Sequence, residues 1–528
     1  MILAALLACA AGAASSYAEN TRRFMMDKTR EIVSVPHGMV ATSQPLAVMV
    51  GVDVLKKGGN AIDAAVAANA MIGLCEPASC GVGGDLFAIY WEAKSGKLYG
   101  LNASGRSPYA ASLEKARARG LALLPNQDPL AWSVPGCVDG WAMLLERFGT
   151  LTLKELLQPA IEYAEKGVPL RGLADPGPVY YDKPGFAETF MRDGKVVANG
   201  ELFRNPGLAH TYRLLAEGGR DAYYKGEIAR TIVDYSNKTG GLFSLRDFAD
   251  HHGEWVEPVS TDYRGYRVWE LPPNGQGIAV LQMLNILEGY DLASLGHNSA
   301  EYLHLFLEAK KLAFADRARF YTDPDFYKAP VDWLVSKEYA ASRRQLIDPT
   351  KASMTDAHGE PPHHGDTIYL SVADKDGNML SFIQSNYFGF GSGYVPTGLG
   401  FVLQNRGALF ALDESHPNRL EPHRRPFHTI IPAFVTRDGQ PWLSFGVMGG
   451  DTQPQGQVQG LCNLIDFGMD LQEAGDAPRV RHIGSSQPTG ARMEQGGLVC
   501  YEIGIDPEVI RKLEQLGHRT HPQGRLQF

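Results

Sequence analysis

The most constraining stretch of this chain runs from Thr367 to Asn386, where TIYLSVAD, the turn KDGN and MLSFIQSN follow one another without a gap. Two alternating runs joined by Asp-Gly-Asn predict a β-hairpin. Immediately before it, residues 348–366 read DPTKASMTDAHGEPPHHGD, with no hydrophobic period and with many Pro, Gly, His and charged residues. Long aperiodic loops inside compact domains are uncommon and usually functional. The loop stops at Asp366, and the strand pattern starts on Thr367.

The segments around this hairpin set the fold class. Residues 43–77 predict two helices back to back. Ser43 is placed to cap the first, Pro45 suits its first turn, and Gly58-Gly59 ends it. Asn60 is placed to cap a second, alanine-rich helix that is apolar on nearly all sides and is therefore expected to be buried. Two alternating strands follow, Leu86–Trp91 and Lys97–Asn102, joined by a Ser-Gly turn. From about residue 130 to 345 the pattern is mostly helical, with VDGWAMLLERFG, TLKELLQPAIEYAEKG, GIAVLQMLNILEGY and AEYLHLFLEAKKLAFADRARFY as its clearest helices. Beyond the hairpin, further strands are expected at GFVLQN and within HTIIPAFVTRDGQPWLSFGVMGG, and a helix at PQGQVQGLCNLIDFG. Helix pairs flanking antiparallel strands predict a layered α+β fold, with helices on both faces of a sheet sandwich.

Composition narrows the function classes. The net charge of -9 is spread along 528 residues with neither basic runs nor aromatic-basic interleaving, so nucleic acid is not an expected partner. Past the N-terminus no stretch is long and apolar enough for a membrane span. The N-terminus itself reads as a secretory signal over residues 1–18: an apolar core from Ile2 to Ala14, then Ser16-Tyr17-Ala18, without the usual basic start. That predicts export to the periplasm or beyond; a short helix of the mature protein is the alternative. Beyond residue 18 the cysteines are Cys75, Cys80, Cys137, Cys462 and Cys500, with no Cys-x-x-Cys pair, which argues against a disulfide framework or a structural zinc site. Buried small apolar residues are their expected role, with Cys75 and Cys80 as the one pair that export could join.

Three features carry chemistry. A threonine on the first residue of a strand, after a dispensable loop, suits a self-cleaving N-terminal nucleophile. Its hydroxyl attacks the preceding carbonyl at Asp366, and the freed α-amine then serves as base for the same hydroxyl, since an α-amine titrates near ~7.7–8.0. Taken alone, the stretch is better explained by a threonine chosen for its β propensity after a linker. In VMGGDTQPQG, Gly449 and Gly450 follow an apolar strand and could turn consecutive backbone N–H groups towards a cavity, as an oxyanion hole requires; a plain strand-ending turn is the simpler reading. His358, Glu360, His363, His364 and Asp366 crowd one loop, but two prolines and the lack of a His-Glu-x-x-His helix weigh against a metal there. No GxxxxGK[ST] motif exists, and no cofactor is expected.

Together, GGNAIDAAVAAN, EPASCGVGGDLFAIY, DTIYLSVADKDGN and MGGDTQPQGQVQ resemble the signature segments of the γ-glutamyltransferase family of N-terminal nucleophile hydrolases, in that family's order. The resemblance implies a four-layer αββα sandwich and autocleavage between Asp366 and Thr367. The products would be a large subunit (19–366) and a small subunit (367–528), which could associate further into a homo-oligomer of the pair. It also implies amide or γ-glutamyl chemistry on a small-molecule substrate, through an acyl-enzyme and without a metal. Thr367 falls at the family's nucleophile, Ser385 at the hydroxyl residue that positions it, and Gly449 and Gly450 at the oxyanion glycines. The substrate-binding positions depart from the family. Arg106 in NASGRSP is shifted by about two residues from the family's carboxylate-binding arginine. Arg406 and Leu409 in QNRGALF stand where a Gln and an Asp hold the substrate amine, and His428 and Thr429 where paired serines stand. This resembles the acylase and amidohydrolase branch, including oxamate amidohydrolase. A glutathione hydrolase or transpeptidase proper is one alternative, and a non-catalytic periplasmic binding protein on the same fold is another. Relatives continue past GRLQF to a further strand, so the expectation is either a chain truncated there or an uncovered sheet edge.

Overall fold

A computed structural model describes residues 30–170, 174–355 and 366–525. Ten strands build two stacked sheets: Gly38–Thr42 (β1), Asp85–Glu92 (β2), Lys97–Ala103 (β3), Glu254–Val256 (β4), Val259–Tyr263 (β5), Tyr266–Glu270 (β6), Asp366–Asp374 (β7), Met379–Tyr387 (β8), Ala433–Arg437 (β9) and Gln440–Phe445 (β10). The six-stranded sheet runs β1-β7-β8-β2-β3-β4 and the four-stranded sheet β10-β9-β6-β5, all antiparallel. The expected hairpin is therefore β7 and β8, and it lies in the middle of the larger sheet.

Period-2 alternation explains the layering. Along β2, Leu86, Ala88 and Tyr90 enter the core shared with the first helical layer. Phe87, Ile89 and Trp91 point the other way, into the apolar space between the sheets with Ile383, Ile430 and Phe434. The first helical layer includes helix 61–75, all of whose residues are buried, which is why its sequence is apolar on every side. Asn60 caps it, in a reciprocal box with Asp63. Its first N–H, from Ala61, donates to the Asp374 carboxylate at 3.0 Å, so the far end of β7 is tied to the helix N-terminus. On the other side, helices 278–287, 300–320 and 452–465 pack over Val268 of β6 and Val435 of β9. The result is the four-layer αββα sandwich.

Several local expectations need correction. The region from 130 to 345 is helical with interruptions: two short strand pairs (168–169 with 202–203, and 191–192 with 195–196), and then β4, an edge of the larger sheet, with β5 and β6, which supply half of the smaller one. Their sequences are short and half-exposed, which weakens any alternation. GFVLQN forms no sheet strand; its extended backbone is held by Gln404 N–H to Gly83 O and Leu403 N–H to Tyr394 O. Gln44, not Ser43, is the N-cap of helix 45–56, with no side-chain cap bond. Cys75 and Cys80 do not pair: all five described cysteines are buried free thiols. Burial pushes the Cys75 thiol up to about 12. The proposed signal, and His358, Glu360, His363 and His364, lie outside the described residues. Among the described residues no helix is long and apolar enough to cross a membrane.

Candidate active site

The strand pair that carries Thr367 is irregular at that residue. Asp366 pairs with Tyr387 but Ile368 pairs with Gln384, so β8 bulges by one residue there, with Ser385 and Asn386 together opposite Thr367. The bulge is accompanied by a positive φ of 82° at Tyr387, a conformation uncommon for a non-glycine residue, and Tyr387 N–H donates to Ser385 Oγ at 2.8 Å. Strain in β8 thereby presents the Ser385 hydroxyl to Thr367, whose Oγ1 donates to it at 3.4 Å, long for a hydroxyl pair.

Arg406 joins the same cluster. It is wholly buried, its Nη2 donating to Ser385 Oγ at 3.1 Å and its Nη1 to Thr429 Oγ1 at 2.7 Å. Its guanidinium lies 4.6 Å from the Tyr387 ring centre, and its Nε–H has no partner among the described residues. Burial lowers the Arg406 pKa to about 10, with Asp85 and Tyr387 opposing the fall. Asp85 is the buried anion behind it. One carboxylate oxygen accepts from Gly105 N–H (2.9 Å), Gly136 N–H (3.1 Å) and Gln404 Nε2 (2.9 Å), and the other from His428 Nε2 at 3.0 Å. Those bonds compensate the carboxylate without a protonated partner.

His428 is neutral in this setting. Burial, and then the charge of Arg406, bring it down from 6.5 to about 4 despite Asp85. The unfolded chain takes up this proton below pH 6.5, and the folded protein only near pH 4. The stability at stake is therefore fully present above pH 6.5 and is lost as pH falls towards 4, up to about 3 kcal/mol for a shift of this size. We expect chemical denaturation to show that decline, and His428→Gln, which keeps a donor for Asp85, to flatten part of it. An unchanged slope in the variant would assign the acid sensitivity to other groups.

The glycine pair sits between β10 and helix 452–465. Gly449 and Gly450 have φ of 100° and 57°, left-handed values that favour glycine. Gly449 O accepts from Thr452 N–H at 3.0 Å, and Gly450 O from Gln453 N–H at 3.2 Å, which aligns the pair on the helix N-terminus. Among the described residues, neither Gly449 N–H nor Gly450 N–H donates a hydrogen bond. Two adjacent unspent N–H groups at a helix start have the geometry that a developing negative charge requires.

The structure thus joins Thr367, Ser385, Arg406, Thr429 and His428, while Arg106 lies elsewhere. Its guanidinium pairs with Glu254 at 3.0 Å and Asp325 at 3.2 Å, and none of its described bonds reaches the cluster. Leu409 is buried in the same apolar cluster as Tyr387 and Phe427. Asp85, Gln404 and Tyr387 were not singled out by sequence; the one available signal was an acid set between a glycine pair and an apolar strand in GGDLF. Away from this site, His304, Glu308 and His518 have metal-ligand chemistry. In this structure His304 Nδ1 lies 2.8 Å from His518 Nε2 and Lys311 donates to Glu308 at 2.7 Å, while His518 Nδ1 has no partner among the described residues.

Comparison with known proteins gives the same picture at the level of the whole chain. A family model described as Gamma-glutamyltranspeptidase matches residues 47–527. The chain is 41% identical over 448 residues to the glutathione hydrolase-like YwrD proenzyme of Bacillus subtilis, covering 84% of each. It is 34% identical over 514 residues to the oxamate amidohydrolase proenzyme of Klebsiella pneumoniae, covering 93% of this chain and 96% of the relative. The crystal structure of cephalosporin acylase from Bacillus halodurans superposes with a TM-score of 0.84 at 42% identity, over 94% of this chain and 90% of that one. This chain belongs to the gamma-glutamyltranspeptidase family and is a hydrolase with its N-terminal nucleophile fold.

Proposed function

We propose that the protein is an exported, self-processing threonine amidohydrolase that cuts itself between Asp366 and Thr367 and then hydrolyses amides of carboxylated acyl groups. The observation that carries this reading is the Thr367 hydroxyl at the head of β7, resting on Ser385, which is itself held by Arg406. Thr367 Oγ1 attacks the Asp366 carbonyl, the C–N bond breaks, and water hydrolyses the resulting ester to leave residues 19–366 and 367–528 as two subunits. The new α-amine then takes the hydroxyl proton in each turnover. Ser385 orients the hydroxyl. The Gly449 and Gly450 N–H groups receive the oxyanion of the tetrahedral intermediate, and the proton passes to the leaving amine.

The charge around Thr367 bears on the acyl group. A γ-glutamyl donor carries both a carboxylate and an ammonium, and the ammonium needs an acid. At the positions where the family holds that ammonium, this chain has a cation, Arg406, with an unspent Nε–H, and an apolar Leu409. Burying an ammonium beside Arg406 is strongly disfavoured, whereas an acyl group with a carboxylate alone has a partner. The expected result is a kcat/KM for glutaryl-p-nitroanilide above that for γ-glutamyl-p-nitroanilide by about tenfold or more, the ratio that 1.4 kcal/mol produces. Arg406→Gln combined with Leu409→Asp narrows the gap. A wild-type preference for the γ-glutamyl compound would instead make this a glutathione hydrolase proper.

A further inference from the structure

We infer that Gln276 is a positioning residue for the oxyanion site, and that the segment before the cut thereby sets the geometry of groups that follow it. The inference rests on the roles proposed for Thr367 and the glycine pair. Gln276 lies in the loop between β6 and helix 278–287, is wholly buried, and does not cap that helix. Its side-chain amide reaches across the site: Nε2 donates to Thr429 O at 2.6 Å and to Gly450 O at 2.9 Å. Its Oε1 accepts from Arg317 Nη1 at 2.6 Å.

Both amide hydrogens are thus used on two separate loops, one carrying Thr429 with its bond to Arg406, the other carrying the oxyanion pair. Arg317 closes the arrangement. It forks onto Asp451 through Nη1 (2.6 Å) and Nη2 (3.2 Å), and also holds Ser486 O and Gln487 Oε1. Burial raises the Asp451 carboxyl, but the Arg317 charge and bond outweigh that and leave it below its usual range. The peptide between Gly450 and Asp451 is therefore gripped at its carbonyl by Gln276 and at the following side chain by Arg317. Two peptide planes meet at Gly450: the one holding its N–H is tied at Gly449 O by Thr452 N–H, and the next is tied at Gly450 O by Gln276, so the Gly450 dihedrals that aim the N–H are set from both sides. Gln276 and Arg317 precede residue 366, whereas Thr429, Gly450 and Asp451 follow it.

The test compares wild type, Gln276→Leu, Gln276→Glu and Thr367→Ala on whichever of the two p-nitroanilides wild type turns over faster. Gln276→Leu removes all three bonds. Gln276→Glu keeps the acceptor for Arg317 but sets a carboxylate oxygen against two carbonyls. We expect kcat to fall about 10- to 100-fold in both, less than for outright loss of an oxyanion donor, with KM within about threefold. The ratio of Gln276→Glu to wild-type kcat should also rise as pH falls, because protonation restores a donor. A rise in KM at unchanged kcat overturns the inference. So does a fall in kcat that only follows a lowered Tm and shows no pH-dependent ratio. If Thr367→Ala keeps its activity, the nucleophile assignment fails whatever Gln276 does. If Thr367→Ala is dead and Gln276→Leu is within twofold of wild type, only the Gln276 inference fails.

Discussion

Thr367→Ala should give one uncut chain and no turnover. The methyl group that remains has nothing to attack the Asp366 carbonyl, so no fragment of 528 − 366 = 162 residues is released. Without cleavage there is no free α-amine, and without the hydroxyl there is no acyl-enzyme, so the variant loses nucleophile and base together. Loss of such a unit costs at least about 10⁴-fold in kcat. The fold should survive, since the strand that carries Thr367 is held along its length by its ladder and at its far end by Asp374. Intact mass and N-terminal sequencing read the outcome directly. A variant that still matures at this bond would exclude attack by Thr367.

The second large effect is expected from Gly450→Val. At a φ of 57° a β-branched residue is strained, and relieving that strain turns the peptide away from the direction in which its N–H now points. Losing one such donor costs about 10²–10³ in kcat. Gly460 offers the control. It lies mid-helix in 452–465 with open space where a Cβ would go, so Gly460→Ala should leave kcat unchanged and raise Tm slightly. A folded Gly450→Val enzyme with near-normal kcat would place the oxyanion elsewhere.

Much of this arrangement was legible in the chain because it depends on local pattern. The hairpin is announced by its turn, the buried helix by its all-round alanine face and Asn60 cap, and the glycine pair by its place after an apolar strand. What was not legible depends on contacts between distant segments. Asp85 gains meaning only when β2 brings it to His428, 343 positions away. Gln276 gains it only when its loop reaches Thr429 and Gly450. Nor does spacing reveal that Arg106 is neutralised by Glu254 and Asp325, because both partners come from other segments. Strands β4 to β6 were hidden for a related reason: their burial comes from the opposing sheet and the helices above, not from a strong alternation of their own.

The strand order has a consequence for the molecularity of folding. In the larger sheet, β7 and β8 lie between β1 and β2, and in the smaller sheet β9 pairs with β6, so strands from the two sides of residue 366 interleave in the larger sheet and pair directly in the smaller. A cut before Thr367 therefore releases neither piece, because separating them would tear both ladders apart. It does change the route back. The uncut chain refolds as a first-order process, whereas two denatured pieces must meet before either sheet can close, and their recovery depends on concentration. Maturation would thus turn a precursor that refolds as one chain into a protein whose endurance is set by how slowly it opens, a clock that starts with its first peptide-bond cleavage.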